Sequence, residues 1–85
     1  MTQSKYDQYV HEYTRPDSTR YVVAERIGYR EYHVPMTTQE QELYGGHTWV
    51  AASVGEIANR FGSWPTRRQA LRRARYLFGE QKIDY

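Results

Sequence analysis

His47-Thr48-Trp49-Val50-Ala51-Ala52-Ser53-Val54-Gly55-Glu56-Ile57-Ala58-Asn59-Arg60-Phe61 can fold in two ways, and the choice between them sets the architecture. Read as strands, Thr48 to Val54 runs to a Gly55-Glu56 turn and returns through Ile57 to Phe61. A glycine at the first position of a two-residue loop supplies the backbone freedom that a tight hairpin turn requires. Read as a helix, Val50, Val54, Ile57, Ala58 and Phe61 recur at i, i+4, i+7, i+8 and i+11, which is an amphipathic stripe. The hairpin is the preferred reading, because Gly45-Gly46 and Trp64-Pro65 then become ordinary loop punctuation on either side.

The flanking segments are read by the same two periods. Tyr6, Tyr9, Val10 and Tyr13 share one helical face, so a short N-terminal helix ending near Tyr13 is predicted, with Ser4 as its cap and Asp7 in its first turn. Thr14 to Thr19 contains Pro16, Asp17 and Ser18, the residue types of a turn. Arg20 to Val34 is rich in β-branched and aromatic residues and suits strands, with Gly28 at a bend or bulge and Pro35 closing the region. Thr37 and Glu40 have the spacing of a capping box for a short helix that Gly45-Gly46 stops.

The last predicted element is a helix after Pro65. Thr66 and Gln69 have capping-box form, Ala70, Leu71, Ala74, Leu77 and Phe78 make its buried stripe, and Gly79 is positioned to end it in a left-handed turn. At 100° per residue, Arg68, Arg72 and Arg75 fall together on the opposite side. Gln69, Arg73 and Tyr76 form the neighbouring strip, and Arg67 lies nearer the apolar edge.

Charge singles out this helix. Ile57 to Gly79 holds six arginines (Arg60, Arg67, Arg68, Arg72, Arg73 and Arg75) and no acid, so the net +2 is a +6 block joined to a −4 remainder. A solvated helix ordinarily mixes Glu with Arg, since such i,i+4 pairs gain a few tenths of a kcal/mol and like pairs lose as much. Two explanations stand. The ten acidic side chains could fold back on this face. Alternatively the face awaits an external polyanion, because a guanidinium presents a planar fork that matches phosphate.

Glu56-Ile57-Ala58-Asn59-Arg60-Phe61-Gly62 resembles the first helix and turn of DNA-binding helix-turn-helix proteins, with small Ala58 and Gly62 four positions later. Thr66 to Arg75, through Leu71 and Arg73-Ala74-Arg75, is similar to the recognition helix of bacterial sigma-factor-like domains. The resemblance covers about 20 residues from Glu56 on, and begins at Glu40 at its widest. It departs from the family where Arg67 or Arg68 stands in place of a buried aliphatic residue, in a turn one residue short, and at Gly45-Gly46. The resemblance implies a mostly α fold with a helix-turn-helix over residues 50–78 and a basic helix in the major groove, with Arg67 and Arg68 near its reading end.

The chain has 85 residues, no cysteine and nine tyrosines. That length suits one domain over residues 1–85 with a modest core. Without thiols there are no disulfides, no thiolate metal sites and no cysteine nucleophile, which favours the cytoplasm. No run approaches the roughly 18 apolar residues of a membrane span, and the N-terminus has no apolar signal core. His11, His33 and His47 lack the paired spacing of metal ligands, Gly45-Gly46-His47-Thr48 lacks the lysine of a phosphate loop, and the serines build no nucleophile-base set.

The expectation is a small α+β protein: antiparallel β-hairpins with an N-terminal helix and a C-terminal basic amphipathic helix. It is expected to be non-enzymatic, without cofactor, metal or membrane. Arg60, Trp64, Arg67, Arg68, Arg72, Arg73, Arg75 and Tyr76 are its candidate contacts to DNA, RNA or a nucleoprotein. The rival expectation is an inhibitor or adaptor, of the phage or mobile-element kind, binding an acidic protein through tyrosines and arginines. The tyrosine content and thin core also allow a homodimer.

Overall fold

Turn chemistry and β-branched residues set the first half of the chain. In the computed structural model, which describes residues 5–80, β1 (Val10–Arg15) and β2 (Ser18–Val23) pair antiparallel around Pro16-Asp17, from Val10 opposite Val23 to Arg15 opposite Ser18. A second antiparallel sheet has the order β3 (Glu25–Gly28), β4 (Glu31–Pro35), β5 (Thr48–Ala51). Helix α1 (Thr38–Tyr44) connects β4 to β5, and α2 (Val54–Phe61) and α3 (Arg67–Arg75) follow. The result is the expected small α+β domain.

Val22 and Val23 are consecutive on β2, so their side chains point to opposite faces, and both are buried. The β1–β2 hairpin is therefore covered on both sides. On the Val23 side Tyr21 lies beneath the Arg67 guanidinium of α3. On the Val22 side Tyr13 packs toward Gly55 of α2, and the His11 ring meets Tyr32 of β4 edge-on at 5.5 Å. The helices and the second sheet thus share one core, built from Val10, Val22, Val23, Ala24, Val34, Ala51, Ile57, Ala70, Ala74 and Leu77.

The deciding stretch is half strand and half helix. Thr48 to Ala51 is a strand, but its partner is β4 rather than Ile57 to Phe61, with Val34 opposite Trp49 and Tyr32 opposite Ala51. From Val54 the chain is helical, which overturns the hairpin and places Gly55-Glu56 in the first turn of α2. The cause is a cap. The Ser53 hydroxyl accepts from the Glu56 N–H at 3.3 Å, and the Glu56 carboxylate accepts from the Ala52 N–H at 2.6 Å. Helices α2 and α3 match part of the helix-turn-helix alternative, yet each packs on the β1–β2 hairpin and the fold is not mostly α.

Two further expectations are corrected. The N-terminal helix shrinks to a 3-10 turn, Asp7–Tyr9, and the chain is extended from Val10 on, because Val10 to Arg15 gains a full ladder with β2. Ser4 lies outside the described residues. Gly79 is not a left-handed stop: α3 widens into a π-helical turn, Tyr76–Glu80, that passes through it. Its lack of a side chain serves packing instead, since a Cβ there would stand 3.0 Å from Cζ of Tyr6.

Other local readings hold. Thr37 and Glu40 form the reciprocal capping box, and Gly45 ends α1 at φ 77°. The register slips between Arg26 and Gly28, so the bulge lies where Gly28 was expected to bend the chain. Gly62 ends α2 at φ 88°, ψ −179°, a region reserved to glycine. Arg30 at the β3–β4 turn is also left-handed (φ 63°), and it is the non-glycine residue with positive φ among those described. Arg30→Gly is expected to stabilise the protein by about 0.5–1 kcal/mol, the relief of left-handed strain less the entropy that glycine adds to the unfolded chain. A melting curve with Tm raised by a few degrees checks it.

Candidate functional site

Helix α3 is held by its apolar stripe. Ala70, Ala74 and Leu77 are buried, Leu71 and Phe78 are half-buried, and Ala70 and Ala74 are small enough to let the helix backbone approach the hairpin closely. The Thr66 hydroxyl accepts from the Gln69 N–H at 3.2 Å, capping the first turn. Beyond the helix, Phe78 stacks flat on Tyr9 with ring centroids 3.9 Å apart.

With that side docked, the opposite side faces solvent. Arg68, Arg72 and Arg75 are all exposed, as the helical wheel predicted, and so are Gln69 and Tyr76 of the adjoining strip. Arg73 is half-buried, with its guanidinium 5.4 Å from the Tyr76 ring centre. Arg67 sits at the apolar edge, bridging to Asp7 at 3.4 Å and lying 6.0 Å over Tyr21. Among the described residues the acids do not gather around Arg68 and Arg72. Glu40 and Glu56 serve helix caps, Glu31 faces His33 at 2.7 Å, and Glu12, Asp17, Glu25 and Glu42 are exposed. Among the described residues neither Arg68 nor Arg72 has a carboxylate partner.

The helix is also aimed by the segment that leads into it. Trp64 and Tyr21 exchange two backbone hydrogen bonds of 2.9 Å, so the α2–α3 connection adds a one-residue bridge to the free edge of β2. Beside it Arg20 donates to the Ser63 hydroxyl at 2.6 Å and to the Ser63 carbonyl at 2.8 Å. Trp64 is therefore an anchor of the connection and does not sit on the arginine face. Arg20→Ala is expected to cost about 1.5–3 kcal/mol, the range for hydrogen bonds to a charged group, read as a lowered midpoint in urea unfolding.

Arg60 separates from the α3 face as well. At the end of α2 its guanidinium lies 4.0 Å from the centre of Trp49 and 4.5 Å from that of Tyr44. Trp49 and Tyr44 were not among the sequence candidates, and neither were Arg20 and Ser63. Nothing local marks them, because each pairing joins elements distant along the chain.

His11 is half-buried on the Val22 side of the hairpin. Its Nε2–H donates to the Ala24 carbonyl at 2.8 Å. Burial lowers its pKa below the ordinary 6.5; the Ala24 hydrogen bond opposes that, and the Arg26 and Arg67 charges add to it. The unfolded chain then binds more protons than the folded one once pH falls below 6.5, so stability present above that value is lost as pH drops through the folded-state pKa. Tm is expected to fall between neutral pH and pH 5, and His11→Gln to flatten that part of the slope.

Among the described residues no three of His, Asp and Glu gather as a metal ion would require, and no helix is long and apolar enough to cross a membrane. Comparison with protein-family models, curated proteins and solved structures found no match for this chain.

Proposed function

We propose that the protein is a non-enzymatic binding protein whose α3 arginine face engages a polyanion, most directly the phosphate backbone of DNA or RNA, alone or in a nucleoprotein. The observation that carries this reading is the exposed Arg68-Arg72-Arg75 face, on which neither Arg68 nor Arg72 has a carboxylate partner among the described residues, on a helix anchored from behind by Ala70, Ala74 and Leu77. Such a face forgoes intrahelical ion pairs, and phosphate restores them at the moment of binding. Arg73, Arg67 and Tyr76 lie on its flanks, where they would position the strand. A cysteine-free sequence agrees with a reducing, cytoplasmic setting.

The test is fluorescence anisotropy with labelled duplex DNA, single-stranded DNA and RNA over a range of salt. Binding through this face weakens linearly in log salt, since each neutralised phosphate releases counterions. Salt-insensitive binding, or none to any of the three, rejects the proposal.

A second reading, an adaptor that binds a protein, is favoured by one observation. Tyr29 is 86% exposed at the tip of the β3–β4 hairpin beside the strained Arg30, and Ile27 is exposed with it. Tyr and Arg are the residue types that dominate protein interfaces. Binding of a protein partner that is lost with Tyr29→Ala, and unaffected by changes on α3, would select this reading.

A further inference from the structure

Arg60 is an exposed arginine whose guanidinium is held in place. Tyr44 and Trp49 meet at 66° with ring centroids 6.0 Å apart, and the guanidinium lies over both rings. Phe61 backs Trp49 edge-on at 6.3 Å. The usual entropy cost of ordering a long side chain at binding is thereby met within the fold. Its position in the last turn of α2 is also favourable for a cation.

The N–H edges of that guanidinium have no hydrogen-bond or ion-pair partner among the described residues. The acid one turn away, Glu56, is committed to the Ala52 N–H. Tyr44 is 53% exposed, and its neighbour Leu43 on α1 is exposed as well. An oriented fork that lacks an anion therefore stands among aromatic and aliphatic surface. A nucleotide has both complements, a phosphate for the fork and a flat base for the apolar surround.

We propose that Arg60, Trp49 and Tyr44 form a subsite for one nucleotide of a single strand, with the phosphate on the Arg60 edge and the base against the Tyr44 side. The subsite rests on the polyanion reading of α3 and narrows it. Duplex bases are stacked on one another and leave no free face for an aromatic side chain, so this site distinguishes single strands from duplexes while α3 grips the backbone of either.

The experiment uses the full chain carrying Trp64→Phe, so that Trp49 is the sole tryptophan reporter, with a short oligo(dT) and a duplex as probes. Oligo(dT) is expected to quench Trp49. Arg60→Lys, which keeps the charge but loses the planar fork, is expected to weaken oligo(dT) about tenfold while duplex affinity stays within about twofold, with an unchanged circular dichroism spectrum. Equal losses on both probes, no loss on either, or oligo(dT) binding without a change at Trp49 would overturn the subsite and leave α3 binding intact. Quenching by an oligoglutamate peptide and not by oligo(dT) would overturn it in favour of a protein ligand. If neither nucleic acid binds, the α3 reading fails first and this one with it.

Discussion

Replacing Arg68, Arg72 and Arg75 together with alanine is expected to lower duplex affinity at about 0.1 M salt by two to three orders of magnitude. The estimate follows from counterion release: each phosphate contact contributes a slope of about −0.9 in log affinity against log salt, hence nearly one decade between about 1 M and 0.1 M. Three contacts give a little under three decades, and the measured slope should shrink by about 2.7. The loss should come without unfolding. The three side chains are exposed, Arg68 and Arg72 repel one another at i and i+4, and alanine is the better helix former. A variant with wild-type Tm and wild-type affinity would mean that the face is only solvated. Anisotropy titrations paired with thermal melts make the comparison.

Ile57→Ala is expected to have the largest effect on stability. Ile57 is among the largest fully buried side chains and fixes α2 on the hairpin, and truncating a buried isoleucine costs about 2–5 kcal/mol. Total stability for a domain of this size is about 4–13 kcal/mol, so at least about a seventh of it is removed, and all of it at the other end of the two ranges. The corresponding fall in Tm is about 8–40 °C, at 4–8 °C per kcal/mol for a small domain. Far below that lowered Tm the variant should still bind duplex normally, because α3 takes its own support from Ala70, Ala74 and Leu77. Stability and binding would thus be separated by mutations in adjacent helices.

The arginine face was legible in the sequence because everything that defines it is local. The Thr66 cap, the apolar stripe from Ala70 to Phe78 and the arginines at i, i+4 and i+7 all belong to one helix, and burial follows the wheel residue by residue. The same locality served the Thr37–Glu40 capping box and the Gly28 bulge. The N-terminal tyrosines misled because Tyr6, Tyr9, Val10 and Tyr13 satisfy a helical period by coincidence, while the partner that makes them extended lies beyond the turn at Pro16-Asp17.

At residues 47–61 each reading was right for one part. The strand at Thr48 finds its ladder on β4, across the whole of α1. The helix at Val54 starts from a Ser53–Glu56 cap that a Gly55-Glu56 turn outweighed in the sequence. Gly79 owes its identity to Tyr6, at the other end of the chain. The Arg20–Ser63 clamp and the Arg60 stack likewise join residues that only the fold brings together. Arg60 and Trp64, grouped with α3 by their position in the sequence, therefore take separate places in space.

The most direct measurement of the central claim is a heteronuclear NMR titration that follows arginine Nε–Hε and backbone amide signals as a DNA duplex is added at low salt. The largest changes are expected at Arg68, Arg72 and Arg75, with smaller ones at Gln69, Arg73 and Tyr76, and all should reverse on raising the salt. Changes confined to Tyr29 and Arg30 at the β3–β4 tip, or none along α3 while the duplex is bound, would contradict the account.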